Sequence, residues 1–310
     1  MLNRKAWTGH LPAATPTEVA NMYGPVELPK GAVRKVTVPD IRDRKAQGPA
    51  IAMVTAYDVT MARLLDESGV DVVLVGDSLG MVVQGLANTL PVTVDEICYH
   101  GRAVARGLSR AHLVGDMPFM SFQVSPAQAI ESAGKMMKEG AFESVKIEGG
   151  TEIAEHVARM VAVGIPVMGH VGLAPQRVHA LGGFRVQGKS EAGADQILAD
   201  ALALEQAGAY AIVLEAMPAE VAERVTRAVR IPTIGIGSGV SCDGQVLVCT
   251  DLLGMSRGKS PKFVKRFAEL ADAIVGATKT YVAEVRAGTF PDREHSYESA
   301  PEPARPPVAH

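Results

Sequence analysis

Cysteine is scarce in this chain: 310 residues carry only three, Cys98, Cys242 and Cys249. An odd number without C-x-x-C spacing excludes a disulfide framework and points to buried or indifferent thiols in a reducing compartment. Also missing is any apolar run long enough to cross a bilayer. The opening residues, to about Val33, contain Arg4 and Lys5 but lack the apolar stretch of a secretory signal. Arg and Ser are too sparse there for an organelle transit peptide, so the cytoplasm is the expected compartment. A net charge of −3 supplies no positive footprint for nucleic acid or an acidic membrane. The dinucleotide fingerprint G-x-G-x-x-G is absent as well. Gly235-Ile236-Gly237-Ser238-Gly239 falls late in the chain, not after a first strand, which argues against a dinucleotide fold.

What the chain does have is a repeated alternation of apolar strands and amphipathic helices. Eight strands are expected, over Ala50–Thr55, Val70–Val75, His112–Gly115, Ser144–Ile147, Pro166–Gly169, Tyr210–Leu214, Thr233–Ile236 and Gln245–Thr250. Thr93-Val94-Asp95-Glu96 and Ser125-Pro126-Ala127-Gln128 are capping-box sequences, the second with proline at the first helical position. Gly69, Gly140, Gly164 and Gly208 punctuate helix ends shortly before the next strand. Eight such units predict a (β/α)8 TIM barrel, with an open doubly wound sheet as the rival. The length suits a single barrel over 36–297. Residues 1–35 read as a flexible N-terminal extension or one laid across a neighbouring subunit. The proline-rich 298–310 read as a flexible tail. Pro261 to Ala287 reads as one or two long amphipathic helices closing the barrel or meeting a partner subunit.

Four of the apolar runs end on a carboxylate: Asp77, Asp116, Glu148 and Glu215. A lone acid in that place often only caps the next turn. Four together at the carboxyl ends of barrel strands, where such folds build their sites, favour metal and acid–base chemistry. Strands two, three and four are neighbours about 4.8 Å apart, so Asp77, Asp116 and Glu148 should converge on one side of the mouth. All-oxygen ligation with open positions suits Mg²⁺ better than zinc. Lys146 shares a face with Glu148, either binding a substrate carboxylate or enolate oxygen, or forming a structural ion pair. His170 ends strand five on the same rim, as a ligand contact or a hydrogen-bonded structural residue. Glu215, across the mouth, is placed to take a proton from a carbon acidified by a metal-held carbonyl. Its alternative is a satisfied rim residue. Leu181 to Gly188 reads as a mobile loop over the site or a plain surface turn. Gly235 to Gly239 could cradle phosphate or simply allow close backbone approach.

The same segments closely resemble the ketopantoate hydroxymethyltransferase family. The resemblance rests on Thr55-Ala56-Tyr57-Asp58, Leu74-Val75-Gly76-Asp77-Ser78-Leu79-Gly80 and Thr89-Leu90-Pro91-Val92-Thr93. Asp116-Met117-Pro118-Phe119, Val145-Lys146-Ile147-Glu148-Gly149-Gly150, Gly183-Phe184-Arg185-Val186-Gln187-Gly188 and Gly235-Ile236-Gly237 add to it, and it ends in Glu294-His295-Ser296. It implies a barrel of the phosphoenolpyruvate/pyruvate superfamily, assembled as a homodecamer. It further implies transfer of a one-carbon unit from 5,10-methylenetetrahydrofolate to 3-methyl-2-oxobutanoate, giving 2-dehydropantoate for coenzyme A synthesis. On the family pattern, Asp77 and Asp116 match metal-site acids, with Glu148 in the same shell. Ser78, Lys146 and His170 match substrate contacts, and Glu215 matches the general base. The chain departs from the commoner pattern at Ala174-Pro175-Gln176-Arg177-Val178-His179, where Arg177 and His179 add polar bulk on the expected folate side. The two rivals are a Mg²⁺-dependent carbon–carbon lyase of the same superfamily and a catalytically silent binding subunit. The lyase would need a cysteine loop at the site, and the silent subunit would have lost mouth acids.

Overall fold

The computed structural model describes residues 33–45, 47–258 and 260–297. The tail 298–310 lies outside them, as does the extension 1–35 apart from its last three residues. Eight strands, β1 (Ile51–Thr55), β2 (Val72–Val75), β3 (His112–Asp116), β4 (Ser144–Glu148), β5 (Val167–Gly172), β6 (Ala211–Glu215), β7 (Thr233–Ile236) and β8 (Gly244–Leu247), pair in sequence order into a closed barrel. All pairs are parallel, and β1 seals against β8 with Met53 opposite Val246. Helices follow as α1 (Val38–Arg42), α2 (Val59–Glu67), α3 (Leu79–Val82), α4 (Val94–Ala105), α5 (Pro126–Gly140), α6 (Ala154–Ala162), α7 (Val178–Leu181), α8 (Glu191–Gln206), α9 (Ala219–Ala228), α10 (Cys249–Leu252) and α11 (Leu270–Ala287). The closed sheet excludes the open doubly wound alternative.

The continuous apolar runs of the strands are explained by burial on both faces. Ile51, Met53, Val72, Leu74, Val114, Met168, Val213, Ile234 and Val246 fill the barrel interior. Their sequence neighbours Val54, Val73, Leu113, Val145, Ile147, Ile212 and Leu214 face outward and pack with helix residues such as Met136, Met160, Leu204 and Val225. The period of two then decides which polar residues point inward. Lys146 and Glu148 share the face of Ser144, His170 that of Met168, and Glu215 that of Val213.

Several local expectations are met and others shift. Thr93 forms both halves of its capping box with Glu96. Ser125 accepts from Gln128 N, but the Gln128 side chain turns outward, accepting from Val124 N and donating to Met120 O. Gly69, Gly164 and Gly208 adopt left-handed φ of 82°, 90° and 99°. At the fourth position Gly140 stays helical and Ala141 takes the left-handed turn. A side chain on Gly140 would meet the Phe142 ring at 2.5 Å, so close packing, not φ, requires that glycine. The eighth strand stops at Leu247, because Cys249–Leu252 turn into a helix. The long C-terminal helix begins only at Leu270. Ahead of it, Phe267 N and Leu270 N donate to Leu252 O and Leu253 O, spending on α10 the hydrogen bonds a helix would need.

The floor of the barrel is held by an electrostatic clasp. Asp71, Glu143 and Asp243 immediately precede β2, β4 and β8, and the segment leading into β1 pairs with all three. Arg44 meets Asp71 at 3.0 Å, Lys35 meets Glu143 at 3.2 Å and Lys45 meets Asp243 at 2.8 Å, while Ile41 of α1 is buried beneath them. Burial pushes the Asp71 carboxyl up, but hydrogen bonds from Arg110, Ala52 N and Arg44 outweigh it and hold it below its usual range. A depressed carboxyl stabilises the fold above its unfolded pKa, and that contribution is lost as pH falls through the folded one. Asp71→Ala removes the carboxylate from two part-exposed arginines, of which Arg110 keeps Gly69 O and Val70 O, and is expected to cost about 2 kcal/mol, between the exposed and the buried case. Urea unfolding at neutral pH measures that loss, and the variant should also lose less stability on acidification than the parent.

Candidate active site

The carboxyl ends of β2 to β6 bring the predicted site residues together in one arc. Asp116, Glu148 and Glu215 are the last residues of their strands, and Asp77 sits two residues beyond β2. Asp77 N donates to Asp116 Oδ2 at 3.2 Å. Lys146 Nζ lies 2.7 Å from Asp116 Oδ1 and 4.0 Å from Glu148 Oε1, so its principal partner is on β3 and not its own strand. His170 lies within β5, which runs two residues past it. Its Nδ1 is 3.5 Å from Glu148 and its Nε2 is 3.2 Å from Glu215. Glu215 therefore faces Asp77 across the mouth and is tied through His170 to Glu148. Ser78 opens α3, with its Oγ 2.8 Å from Tyr57 OH.

Burial sets the electrostatics. Asp77, Asp116, Lys146, Glu148 and His170 are each no more than 5% exposed, so their charges must be compensated within the cluster. Desolvation, then the Asp116 and Glu148 charges, push the Asp77 carboxyl well above the usual range. Asp116 is also raised by burial, against the pull of Lys146. Glu148 goes the other way: despite burial, His170, Lys146 and Gln176 N hold its carboxylate ionised. On His170, burial and Lys146 oppose a proton, but Glu148 and Glu215 prevail and raise it to about 9. Each ring nitrogen lies within ion-pair distance of a carboxylate, Nδ1 of Glu148 and Nε2 of Glu215, which favours the protonated ring. Lys146 Nζ also lies 3.3 Å from His170 Nδ1, a contact in which the ammonium can only donate and which opposes a proton on that nitrogen.

The donor set fits a divalent cation. Four carboxylates face two cations, leaving two formal negative charges in a mostly dry pocket. Among the described residues, no three His, Cys, Asp or Glu side chains close into a ready metal cage. Glu148 is engaged by His170 and by Gln176 N at 3.2 Å. Asp116 faces Lys146 through Oδ1 and accepts from Asp77 N through Oδ2, and Asp77 Oδ2 accepts from Gln176, so each of the three acids already has a protein partner. One or two carboxylates, with waters and substrate oxygens, are what Mg²⁺ usually takes.

Gln176 is the site residue that the sequence reading did not single out. It is buried, and its Nε2 donates to Asp77 Oδ2 at 3.1 Å and to Met117 O at 2.9 Å. Its Oε1 accepts from Gln123. The available signal is its place in the loop after strand five, inside the stretch where the chain departs from the commoner family pattern. The neighbouring departures point elsewhere: Arg177 is exposed and pairs with Glu152, and His179 is exposed. The loop from Leu181 to Gly188 runs beside the site, anchored by Gln187 N donating to Ala216 O, the residue after Glu215. Gly237 and Gly239 have left-handed φ, and side chains there would meet Phe263 at 2.8 Å and Ala219 at 2.6 Å. Tight packing accounts for those glycines without a phosphate. All three cysteines are free and buried, and none joins the arc.

Comparison with known proteins identifies the family. A family profile described as ketopantoate hydroxymethyltransferase matches residues 35–293. The 3-methyl-2-oxobutanoate hydroxymethyltransferase of Anaeromyxobacter sp. (strain Fw109-5) is 57% identical over 271 residues, covering 86% of this chain and 89% of its own. That of Syntrophus aciditrophicus (strain SB) is 54% identical over 264 residues, covering 85% and 97%. Among solved structures, 2,3-dimethylmalate lyase, a PEP mutase/isocitrate lyase superfamily member, superposes with a TM-score of 0.54 at 14% identity, covering 84% of this chain and 89% of its own. At that identity the likeness establishes the fold alone. The profile spans the entire barrel and the relatives share more than half their residues with it, so the chain belongs to the ketopantoate hydroxymethyltransferase family.

Proposed function

We propose that the protein transfers a hydroxymethyl group from 5,10-methylenetetrahydrofolate to 3-methyl-2-oxobutanoate, giving 2-dehydropantoate for pantothenate and coenzyme A synthesis. Membership of the family and the names of its relatives support the reaction. The observation that carries the mechanism is the continuous arc from Asp77 through Asp116, Lys146, Glu148 and His170 to Glu215. Mg²⁺ held by Asp77 and Asp116, with Glu148 behind them, would polarise the oxygens of the oxo acid and acidify C3. Lys146, His170 and Ser78 bind those oxygens and offset charge as it develops on them. Glu215, whose side chain is the most exposed of the four acids at 17%, takes the C3 proton. His170 orients it, and C3 bonds to the one-carbon unit as that carbon's two bonds to the folate nitrogens break. Water supplies the hydroxyl, and the C3 proton and the other water proton pass to those nitrogens, releasing tetrahydrofolate. Glu148 keeps His170 protonated and Gln176 fixes Asp77, so neither needs to touch the reacting atoms.

The lyase rival would require an accessible cysteine at the mouth; Cys98 lies in α4 and Cys242 ahead of β8, and Cys249, which follows β8, is 2% exposed. The silent-subunit rival would require a missing acid, and all four are in place. Incubating the protein with 3-methyl-2-oxobutanoate and Mg²⁺ in D₂O, without folate, tests the reading. Deuterium should appear at C3 by NMR, and its absence would refute enolisation at this site.

The proposal extends to a cytoplasmic homo-oligomer, a decamer. Among the described residues no helix is long and apolar enough to cross a membrane. Helix α11 buries none of its residues within the chain and exposes Ile274, Val275, Tyr281 and Val285. An apolar helix face of this size calls for a cover. Sedimentation at micromolar concentration should give a decamer, and a stable monomer would contradict the assembly.

A further inference from the structure

Tyr57 is a buried phenol that the mechanism above does not use. It follows β1, is 5% exposed, and its OH lies 2.8 Å from Ser78 Oγ. Ser78 occupies the N-cap position of α3 yet makes no side-chain cap bond. Its hydroxyl is therefore not spent on the helix. A side chain on Gly76 would lie 2.7 Å from Ser78 Oγ and 3.7 Å from Asp116 Oδ2. The absent Cβ is what lets that hydroxyl stand beside the site carboxylates.

The hydrogens along this line have a preferred order. Cys249 N–H can only donate, and it donates to Thr55 Oγ1 at 3.0 Å. The Thr55 hydroxyl keeps its own hydrogen and acts on the nearby Tyr57 phenol as a donor would. Between Tyr57 and Ser78, the phenol is the stronger donor and the aliphatic hydroxyl the better acceptor. Burial pushes the Tyr57 phenol up from its ordinary value, so it keeps its hydrogen at every working pH. Ser78 then accepts from behind, and its own hydrogen is left to point into the mouth. Such aligned chains strengthen each donor in turn.

We propose that Tyr57 is a positioning residue that fixes the Ser78 hydroxyl as a hydrogen-bond donor to the carboxylate or keto oxygen of the 2-oxo acid. The order of donation begins at the backbone of α10. This rests on the reading of Ser78 as a substrate contact. A purely structural Tyr57 would stabilise the barrel and leave substrate affinity alone, or would act independently of Ser78.

A double-mutant cycle on the intact protein with Mg²⁺ separates these. The readouts are KM for 3-methyl-2-oxobutanoate, kcat, and the rate of C3 deuterium exchange at saturation. Tyr57→Phe keeps the ring and loses the donor, and should raise KM about three- to tenfold, the range for one neutral hydrogen bond. Saturated kcat and saturated exchange should fall together, by no more than the same range, because Ser78 is one of three groups that offset the developing charge. In a Ser78→Ala background the same substitution should add less than a twofold change. Thr55→Val should raise KM in the same direction and Thr55→Ser should restore it, an arm independent of whether Tyr57→Phe folds well. A wild-type KM in Tyr57→Phe, or an equal fold-change with and without Ser78, would overturn the proposal. If the unaltered protein neither bound nor exchanged the oxo acid, the underlying reading of the site would fall first and this one with it.

Discussion

Replacing Glu215 with glutamine is expected to lower turnover about 10²–10⁴-fold, the usual contribution of a positioned general base. Glutamine keeps the size and much of the hydrogen bonding of glutamate but cannot accept the C3 proton. Binding of the oxo acid should survive, because Lys146, Ser78 and the Asp77–Asp116 pair lie on other strands. Deuterium exchange at C3 should fall in parallel with turnover, even without folate, since exchange requires only enolisation. The substitution also removes one of the two carboxylates that hold the proton on His170, which sits 3.2 Å away. The imidazole should therefore titrate below its parent value of about 9, and NMR of the ring protons would follow that shift. Exchange at the parental rate in Glu215→Gln would assign the proton to another group. Weakened binding with unchanged turnover at saturation would make Glu215 a positioning residue.

The second large effect concerns the two β2 and β3 acids, and it divides between function and stability. Asp77→Asn and Asp116→Asn should each abolish Mg²⁺-dependent turnover, since each removes an anionic oxygen ligand. Added Mg²⁺ should raise the melting temperature of the parent, through ligand linkage, and should leave both variants unmoved. Without metal their stabilities should part. Folding raises the Asp77 carboxyl pKa. A raised acid weighs against the folded state as pH climbs above its unfolded value. Asparagine resembles the protonated form, so Asp77→Asn in chelator should be as stable as the parent or more so. Asp116 is raised too, by burial, but its carboxylate sits 2.7 Å from the buried Lys146 ammonium, and losing that contact leaves an under-compensated cation, which is strongly destabilising and outweighs the relief. Asp116→Asn should therefore unfold at lower urea concentration. Full activity of either variant, or of the parent in excess chelator, would refute the metal assignment.

Such a division between stability and function is expected where a site stores like charges for a ligand. The Asp77, Asp116 and Glu148 carboxylates repel one another in a dry pocket, with only Lys146 and His170 to offset them. A core selected for stability alone would have replaced them. Their position at the ends of three adjacent strands makes the repulsion useful to a cation.

The order and number of the strands were readable from the sequence because a strand buried on both faces must be apolar throughout. That rule set the eight runs, and the second, fourth and sixth stop at Gly76, Glu148 and Glu215. The mouth carboxylates were readable for the same reason: Asp116, Glu148 and Glu215 stand where the apolar run stops. Misplaced limits arose where competing hydrogen bonds decided them. Cys249 opens a helix after β8, and α11 starts late because Phe267 and Leu270 bond to α10. The motif resemblance added the reaction, which no periodicity could supply.

The sequence by itself thus determined the barrel and the residue types at its mouth, since both follow from local burial and period-two alternation. Only the tertiary structure decided how those residues are paired. Lys146 answers Asp116 on the neighbouring strand, His170 joins Glu148 to Glu215, and Gln176, 99 positions from Asp77, reaches it from the loop after β5. Those partnerships depend on strand stagger and side-chain reach between segments far apart in the chain, and no local pattern encodes a distance across the barrel.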